Sequence, residues 1–405
     1  MGRAQNTTRK EFRKMDIVRF GIIGVGNMGS THSKYLFDGE IEGAVLGAIC
    51  DINEKKREWA REKFGDELPI FEDYKELLAS GTCDVVLIAT PHYLHPVIAI
   101  DAFNAGLHVI SEKPVGVYTK AVKEMMEVAK NSGKEFGVMF NQRTNPVYRK
   151  MREIVQSGEL GELKRMVWII TDWYRTQFYY DSGDWRATWS GEGGGVLLNQ
   201  CPHQLDLWQW IFGMPSSITA FCDYGKYHDI EVEDDVTAYA KYDNGSTAVF
   251  ITTTGECPGT NRLEITGSKG KLVAENNVLT WVKNDGDERE HCFTVQAGFK
   301  KLDTTTEILN PEYDMLPQHK GITQNFTNHL LKGEPLLASG YEGINGLLIS
   351  NSIMLSSWKN CEIKVGADGN EDEFYEILKT KIASSRRKVS AGNDKVADLS
   401  DTYNN

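Results

Sequence analysis

Residues 109–116 read "VISEKPVG", an apolar strand that ends in Glu112 and Lys113 and is followed by Pro114. A lysine at the end of a buried strand is ordinarily a solvated cap, because water stabilises its charge. An ammonium group held there can instead stabilise negative charge on a reacting oxygen. Which role Lys113 has depends on what else the chain brings to that strand end.

A second candidate group lies in "GGGVLLNQCPHQLD", residues 193–206. If a helix begins after Gly195, then Asn199, His203 and Asp206 stand at i, i+4 and i+7, within about 60° of one another on one face. A histidine in such a group can accept a proton near neutral pH. The alternative is a structural histidine that is buried and satisfied by Asp206. We expect an Asn199→Asp variant to keep its fold and activity if that position only holds a ligand.

A glycine-rich turn in "GIIGVGNMGSTH" has the spacing G-x-G-x-x-G, follows the first strand and opens a helix. In that context the glycines allow a tight turn and close approach of a pyrophosphate, and the first N–H groups of the helix face the phosphates. The sequence therefore predicts a dinucleotide site at this turn: Gly24, Gly26, Asn27, Met28 and Gly29.

The second strand ends in "AICD", which places Asp51 at its carboxyl end, 22 residues beyond Gly29. A carboxylate there can accept hydrogen bonds from both adenosine ribose hydroxyls and repels a 2′-phosphate. This predicts NAD rather than NADP as the cofactor, although Lys55, Lys56 and Arg57 lie nearby. The structural alternative is that Asp51 only caps the next helix.

The fourth strand ends in "ATPHYLHP", and the strand ends of a parallel sheet face the cofactor crevice. Four residues are predicted to line that crevice: Thr90, Pro91, His92 and His95. The two histidines have no third ligand at a plausible spacing, so no metal site is predicted. Lys113 and Glu112 follow the fifth strand, which puts this segment on the same crevice, with Lys113 beside the nicotinamide ribose. We expect Glu112 to orient the segment or to pair with the lysine.

The elements that position these residues follow from the hydrophobic pattern. Residues 17–142 alternate short Val- and Ile-rich strands with amphipathic helices, which predicts a parallel doubly wound sheet. The helical stretches are "NMGSTHSKYLF", "EKKREWAREKF", "PVIAIDAFNAG" and "AVKEMMEVAKN". Residues 143–382 contain alternating strands typical of an antiparallel sheet, with a hairpin around Asp243–Gly245, and late helices. Polar tails are predicted at residues 1–16 and 383–405.

Composition excludes several classes of function. The chain has 405 residues and a formal net charge of −12, which disfavours nucleic acid as a partner. No apolar run approaches the ~20 residues that span a bilayer, and the polar N-terminus lacks an apolar signal-peptide core. The seven cysteines lack paired spacing, which favours reduced, buried thiols in a cytoplasmic protein.

At this point the chain resembles the Gfo/Idh/MocA oxidoreductases. The motifs "GIIGVGNMG", "ATPHYLHP", "AFNAGLHVISEKPVG", "FNQR" and "GGGVLLNQCPHQLD" occur in the order and spacing of that family, from about residue 17 to about residue 360. The resemblance implies an α/β protein with an N-terminal Rossmann domain and a C-terminal α/β domain that carries a large, open, mainly antiparallel sheet. In the family that sheet commonly forms the interfaces of dimers and tetramers, so we expect a homo-oligomer.

The resemblance also assigns roles to individual residues. It implies that Lys113 and His203 are the catalytic pair, that Asp206 matches the family's aspartate three residues after the histidine, and that Asn199 replaces an aspartate usual in inositol dehydrogenases. An amide cannot accept a proton, so the proton-transfer role falls on His203. Further family positions near the nicotinamide and the substrate are matched by three residues: Asn141, Arg143 and Arg186.

The segment "DWYRTQFYYDSGDWRATW" carries seven aromatic rings that could cover the faces of a sugar or an aglycone, and Tyr174 is a predicted substrate contact. The alternative is an aromatic loop core or a subunit interface. Because we find no cluster of Arg and Lys near the site, a neutral glycoside is favoured over a sugar phosphate. By family analogy we expect NAD-dependent oxidation of a secondary hydroxyl of a sugar, cyclitol or glycoside, with C3 of a glucosyl unit preferred.

Two other functions remain open. One is an NAD-dependent glycosidase or lyase, in which oxidation is transient and the cofactor is regenerated in every turnover. The other is a non-enzymatic NAD-binding sensor, against which the presence of both Lys113 and His203 argues.

Overall fold

A computed structural model describes residues 16–386. Most of the two predicted polar tails, residues 1–15 and 387–405, lies outside the described residues. The predicted boundary between residues 142 and 143 falls inside a 3₁₀ helix, Asn141–Thr144, and stays a prediction.

The N-terminal part is a six-stranded parallel sheet with the order β3-β2-β1-β4-β5-β6. Its strands are apolar and buried because helices flank the parallel sheet. The order reverses between β1 and β4, and ligands bind at such a switch point. The strands are β1 Val18–Ile23, β2 Ala44–Cys50, β3 Ile70–Phe71, β4 Val85–Ile88, β5 His108–Ser111 and β6 Phe136–Val138.

Five helices connect these strands: α1 Asn27–Phe37, α2 Glu54–Phe64, α3 Tyr74–Ala79, α4 Leu94–Asn104 and α5 Thr119–Ser132. The amphipathic pattern had indicated all of them except α3, which with β3 is too short to show a period. Asn53 and Asp73 cap α2 and α3 by accepting hydrogen bonds from backbone N–H groups.

The rest of the described chain forms a nine-stranded sheet with the order β14-β13-β12-β11-β7-β10-β9-β8-β15, antiparallel except where β7 pairs with β10. The fold class predicted from the sequence is therefore confirmed. The strands are β7 Leu163–Ile170, β8 Ser217–Tyr224, β9 Glu233–Lys241, β10 Thr247–Thr253, β11 Asn261–Gly267, β12 Gly270–Glu275, β13 Val278–Asn284, β14 Thr304–Leu309 and β15 Ile363–Lys364. The helices are α6 Pro146–Gln156, α7 Gln177–Asp181, α8 Pro202–Phe212, α9 Glu288–Thr294, α10 Gln318–Lys332, α11 Gly343–Lys359 and α12 Asn370–Ala383.

The two faces of this sheet differ. On one face Trp168 and Phe250 are buried, and Trp208 of α8 packs on Phe250 with ring centroids 5.6 Å apart. On the other face Phe221 is 66% exposed and Tyr239 is 42% exposed. These two side chains lie on the same face, because Tyr239 pairs with Thr219, two residues before Phe221.

Helix α8 begins later than the sequence analysis expected. The prediction of a helix directly after Gly195 is wrong, because residues 196–201 form turns and α8 starts at Pro202. Proline is favoured at the first helical position and disfavours helical geometry in the residue before it. A Cβ at Gly195 would lie 1.9 Å from the backbone oxygen of Glu233, so this glycine does permit the predicted close approach.

Four of the seven cysteine thiols are buried, as expected: Cys50, Cys83, Cys201 and Cys222. The other three are exposed, which corrects the prediction that all of them are buried. All seven are free thiols.

Candidate active site

The glycine-rich turn joins β1 to α1 against the end of β4. Gly24 has φ +90°, a conformation that favours glycine, and a Cβ there would lie 2.8 Å from the backbone oxygen of Ala89. A Cβ on Gly29 would lie 1.8 Å from the oxygen of Gly24, so the turn and helix need glycine at both positions. A Cβ on Gly26 would meet open space, and α1 has no side-chain cap. The helix N-terminus is thus open to a phosphate.

Asp51 lies at the end of β2 and holds the glycine-rich turn. Its carboxylate accepts hydrogen bonds from the backbone N of Val25 (2.8 Å) and of Asn53 (2.8 Å). A carboxylate has about four acceptor positions, so two remain for ribose hydroxyls. The side chain that caps α2 is Asn53, so the alternative that Asp51 caps this helix is wrong.

The neighbourhood of Asp51 also explains why Arg57 is a poor partner for a 2′-phosphate. Its guanidinium donates to the backbone oxygens of Asp51 and Ile52 (2.9 Å each) and pairs with Glu72 at 3.0 Å. The side chain of Ile52 is 84% exposed beside Asp51 and offers an apolar surface to an adenine ring. The sequence analysis missed Ile52, although an isolated apolar residue after the strand-end aspartate was its signal.

The four candidate residues at the end of β4 differ in their contacts. His95 is buried with both ring nitrogens 2.7 Å from backbone oxygens, those of Pro114 and Thr90. Burial lowers the pKa of His95, so the ring is neutral and its single N–H donates to one of these two oxygens. Both nitrogens lie against the ends of β4 and β5 and are not open to a cofactor. The Thr90 hydroxyl is buried without a partner, and Pro91 is exposed. The ring of His92 lies 5.7 Å from that of Trp185, so His92 meets the aromatic segment.

The contacts of Glu112 fit the prediction that it orients the Lys113 segment, and its predicted cofactor contact stays a prediction. One carboxylate oxygen lies 2.6 Å from His32 Nε2, and the other accepts from the backbone N of Lys113 at 3.2 Å. His32 Nδ1 in turn lies 2.5 Å from the Tyr35 hydroxyl. Burial works to raise the pKa of Glu112, but the His32 hydrogen bond and nearby positive charges outweigh it and lower the pKa to about 2. Glu112 and His32 therefore fix the strand end that carries Lys113.

Lys113 reaches across to the segment before α8. Its Nζ donates to the backbone oxygen of Asn199 at 2.9 Å, and its peptide bond to Pro114 is cis. The Asn199 amide donates to the buried carboxylate of Glu192, so Asn199 is held between Lys113 and Glu192. Burial lowers the pKa of Lys113, and the Glu112 and Glu192 charges oppose that shift.

His203, in the first turn of α8, is 4% exposed, and both of its ring nitrogens are buried without a hydrogen-bond partner. Burial first, and then the charge of Lys113, lower its pKa well below the ordinary value of 6.5. The imidazole is therefore neutral at pH 7 and has an unused acceptor. Folding thus brings together the two motifs that are 90 residues apart in sequence.

Asp206 and Arg143 were predicted to contact substrate, but they bind each other. The Asp206 carboxylate receives Arg143 Nε at 2.8 Å and Nη2 at 2.6 Å, and each residue is 1% exposed. Arg143 also donates to the backbone oxygen of Leu337 and to Glu342. The pair fastens α8 to the 3₁₀ helix, and the expected Asp206–His203 contact does not form, since the His203 nitrogens have no partner.

The aromatic segment meets Asn199 through Tyr179 instead of Tyr174. The Tyr179 hydroxyl lies 3.5 Å from Asn199 Oδ1 and accepts from Arg186 Nη1 at 2.8 Å, whereas Tyr174 is 48% exposed. The guanidinium carbons of Arg175 and Arg186 lie 5.2 Å and 4.6 Å from the Tyr179 ring centroid. The expectation that no arginines cluster near the site is therefore wrong, because the sequence did not reveal which loop residues turn inward.

Other rings of this segment form the core of the loop. Tyr179, Tyr180 and Trp189 are buried, and the Lys381 ammonium of α12 lies 4.8 Å from the Trp189 ring centroid. Phe178 is 53% exposed. Within residues 16–386, no cluster of His, Cys, Asp or Glu is arranged to hold a metal ion. No helix in the same range is long and apolar enough to cross a membrane.

Comparison with known families decides the classification. Residues 18–140 match the oxidoreductase family with an NAD-binding Rossmann fold, and residues 148–273 match the GFO/IDH/MocA C-terminal domain. The chain belongs to the Gfo/Idh/MocA oxidoreductase family. It is therefore an NAD-dependent oxidoreductase, and the open α1 N-terminus with Asp51 beside it fits that cofactor.

Individual proteins resemble about two thirds of the chain or more. Myo-inositol 2-dehydrogenase of Thermotoga maritima is 26% identical, over 86% of this chain and 98% of its own. Levoglucosan dehydrogenase of Pseudarthrobacter phenanthrenivorans is 26% identical, over 64% of this chain and 74% of its own. The WlbA dehydrogenase of Bordetella pertussis, solved with NADH and UDP-GlcNAcA, shares the fold, with TM-score 0.73 and 24% identity over 87% of this chain and all of its own.

Proposed function

We propose that this protein oxidises a secondary hydroxyl of a sugar, cyclitol or glycoside to the ketone, with C3 of a glucosyl unit as the preferred position. The observation that carries the proposal is His203, a buried, neutral imidazole with no partner, beside Lys113. A buried polar group without a partner costs about 1–3 kcal/mol, which a ligand hydroxyl would recover. The inositol and levoglucosan dehydrogenases among the relatives support a polyhydroxylated substrate.

The chain supplies the proton chemistry. His203 takes the hydroxyl proton, because its lowered pKa leaves the imidazole unprotonated at pH 7 and its acceptor nitrogen is unused. The Lys113 ammonium, held by the Asn199 oxygen at 2.9 Å, stabilises the alkoxide that develops. NAD, when bound, supplies the hydride acceptor. Oxidation thus separates the proton and the hydride of one carbinol, and the ketone remains.

Buried atoms without partners around Tyr179 support a substrate with many hydroxyl groups. Trp173 Nε1 and Arg175 Nε are donors without acceptors, and Gln200 Oε1 is an acceptor without a donor. Gln200 Nε2 lies 3.4 Å from the Tyr179 hydroxyl, and Arg175 packs on the same ring. Hydroxyl groups both donate and accept, so a polyol can satisfy both kinds of atom.

A substrate panel tests the proposal. Purified enzyme with NAD should produce NADH absorbance with one or more sugars, cyclitols or glycosides, and the Lys113→Ala variant should not. Because Arg175 and Arg186 flank Tyr179, the panel must include uronates and aldonates. If a glycoside releases its aglycone without added NAD and without net NADH, the enzyme is instead a glycosidase or lyase. If no compound is oxidised or cleaved although NAD binds, the sensor function replaces both.

We also propose that the protein is a homo-oligomer that buries the exposed face of the nine-stranded sheet. Phe221 and Tyr239 on that face are 66% and 42% exposed, and apolar surface of this kind marks association sites. Light scattering at micromolar concentration should give a dimer or, preferably, a tetramer. Phe221→Glu should lower the mass, whereas Phe293→Glu, on α9, serves as a matched exposed control. A monomeric wild-type protein would contradict the proposal.

A further inference from the structure

Glu233 is the first residue of β9, and it is 0% exposed. Its carboxyl Oε1 accepts hydrogen bonds from the backbone N of Gly195 at 2.8 Å and of Leu197 at 3.1 Å. Its backbone oxygen accepts another from the N of Val196 at 3.0 Å. A buried N–H group without an acceptor costs free energy, so Glu233 stabilises these successive peptide groups directly before the turns that lead into α8.

Residues 195–201 connect Glu233 to Lys113. The backbone oxygen of Gly195 accepts a hydrogen bond from the backbone N of Asn199 at 2.9 Å. The backbone oxygen of Asn199 in turn receives the Lys113 ammonium at 2.9 Å. Hydrogen bonds in series therefore run from the Glu233 carboxyl through one turn of backbone to the Lys113 side chain.

Helix α8 has anchors of its own. Asp206 receives two hydrogen bonds from Arg143, and Trp208 is fully buried. His203 lies in the first turn of this helix, so the same anchors support it. Loss of the Glu233 carboxyl should therefore displace the Asn199 oxygen while His203 keeps its place.

The two oxygens of the Glu233 carboxyl differ. Oε1 accepts the two N–H bonds, whereas Oε2 is buried without a partner. Burial raises the pKa of Glu233 to about 7, against the opposing effect of the backbone N–H groups. A carboxyl keeps one accepting oxygen whether it is ionised or protonated on the other oxygen. Residues 195–197 thus need an acceptor at this place rather than a charge, and a glutamine can supply it.

We propose that Glu233 is a positioning residue for Lys113. By binding the N–H groups of Gly195 and Leu197, it fixes the Asn199 oxygen that holds the lysine ammonium at the reacting hydroxyl. This inference rests on the proposed function for the catalytic role of Lys113, but the chain of contacts does not depend on which alcohol is oxidised.

Competitive acetylation with trace acetic anhydride over a pH series tests the contact without a substrate. Peptide mass spectrometry then gives the pKa and the intrinsic reactivity of each lysine amine. Glu233→Ala should raise the intrinsic reactivity of Lys113 about tenfold, as expected when a hydrogen bond to a charged group is lost. Glu233→Gln, which keeps the accepting oxygen, should stay within about twofold of wild type. Lys120, whose side chain is 50% exposed, is the internal reference and should not change.

The matched control is Asp234→Ala, at the next residue of β9. Asp234 is also 0% exposed, and its carboxylate also accepts from two backbone N atoms, those of Lys226 at 2.9 Å and Tyr227 at 2.8 Å. Those N atoms belong to the loop before β9 and not to the turns that carry Asn199. Asp234→Ala should therefore leave the reactivity of Lys113 unchanged, although it removes a comparable buried carboxylate.

Turnover with a compound that the substrate panel identifies gives a second measurement. Glu233→Ala should lower turnover about tenfold in the wild-type background but less than about twofold in the Lys113→Ala background, because groups that act as a unit are not additive. Asp234→Ala should change turnover by the same factor in both backgrounds. Full turnover of Lys113→Ala would contradict the proposed function and leave the acetylation result standing.

An unchanged reactivity of Lys113 in Glu233→Ala would overturn the inference. So would an equal rise in Asp234→Ala, or a Glu233→Gln variant as reactive as Glu233→Ala. If Glu233→Ala does not fold, Glu233→Asp replaces it, because its carboxyl is one methylene short of the two N–H groups and the same rise is expected.

Discussion

The two halves of the active site differ in how completely their polar atoms are bonded. On the Rossmann side, Asp51 accepts from two backbone N–H groups and both nitrogens of His95 lie against backbone oxygens. On the other side, His203, Trp173 and Arg175 contain buried nitrogens without partners. The cofactor half leaves only the Thr90 hydroxyl and Asn141 Oδ1 buried without partners among the residues described above, whereas the substrate half lacks more of the partners that a polar ligand would supply.

This difference has a physical basis. Backbone N–H groups and glycines build the dinucleotide site, so its shape follows from the strand–turn–helix unit itself. Side chains from several distant segments build the substrate half, and each needs a partner once it is buried. Variants of the glycine-rich turn and of Asp51 should consequently change cofactor affinity, whereas variants of Lys113 and of the substrate half should change turnover or stability.

The largest effect should come from the catalytic pair. Lys113→Ala and His203→Ala should each lower the rate of hydride transfer roughly a hundredfold or more, because general acid–base groups contribute at least that much. The two losses together should be well short of multiplicative, since both groups act on one oxygen. Single-turnover NADH formation measures the step, and NADH fluorescence should show retained cofactor binding.

Matched controls are Lys120→Ala and His329→Ala, which remove an exposed lysine and a partly buried histidine from ion pairs with Asp372 and Glu135. Both should behave like wild type. Near-normal turnover in His203→Ala would mean that another group is the base, and Tyr179 would be the next candidate.

The pH dependence of kcat/KM should show the protonation state of His203 in the substrate half. His203 must be unprotonated to accept a proton, and its pKa is lowered well below 6.5 by burial and by Lys113. The acidic limb of kcat/KM should therefore lie below pH 6.5, and activity should not fall as the pH approaches that value from above. A limb centred at or above 6.5 would contradict a buried neutral His203.

The next effect concerns stability. Arg143→Ala leaves the Asp206 carboxylate buried without its partner, which should lower the free energy of unfolding by ~3–5 kcal/mol. Urea denaturation measures this loss, and Arg143→Met with Asp206→Leu should recover part of it. If Arg143→Ala instead raised KM at unchanged stability, Arg143 would be a substrate contact after all.

These cases show which parts of the molecule the sequence could predict. The glycine turn, Asp51 and the helices α1 and α2 were predicted correctly in place, because each depends on neighbours within one strand–turn–helix unit. The start of α8 and the Arg143–Asp206 pair were not predicted, because they depend on contacts between residues that are distant in sequence. Leu197 and Glu233 are 36 residues apart, and Arg143 and Asp206 are 63 residues apart. The proline at 202 was a usable signal for the helix start, whereas nothing local marks Asp206 as bonded to Arg143.

A smaller effect is expected on cofactor choice. Wild-type protein should bind NAD at least about tenfold more tightly than NADP, or ~1.4 kcal/mol, since Asp51 repels a 2′-phosphate. Asp51→Ser should narrow that gap, as measured by fluorescence titration with both reduced cofactors. Asp66→Ser, an exposed change after α2, should leave it unchanged. Equal affinities of the wild-type protein for both cofactors would remove the assigned role of Asp51.

The smallest effect concerns Asn199, whose expected tolerance of an aspartate was conditional on its only positioning a ligand. Its amide donates to Glu192, a buried carboxyl whose pKa burial raises. Asn199→Asp places a second carboxyl there, and two carboxylates in one buried site cannot both ionise easily, so one keeps a proton until higher pH. Below that pKa the shared proton restores the hydrogen bond between the two carboxyl groups. Above it, repulsion from Glu192 displaces residue 199, and its backbone oxygen no longer holds the Lys113 ammonium. Turnover of Asn199→Asp should therefore match wild type at low pH and fall several-fold as the pH rises. Asn199→Ala should lower turnover by the same factor at every pH. If Asn199→Asp and wild type instead have superimposable pH profiles of turnover, Glu192 does not hold this residue in solution.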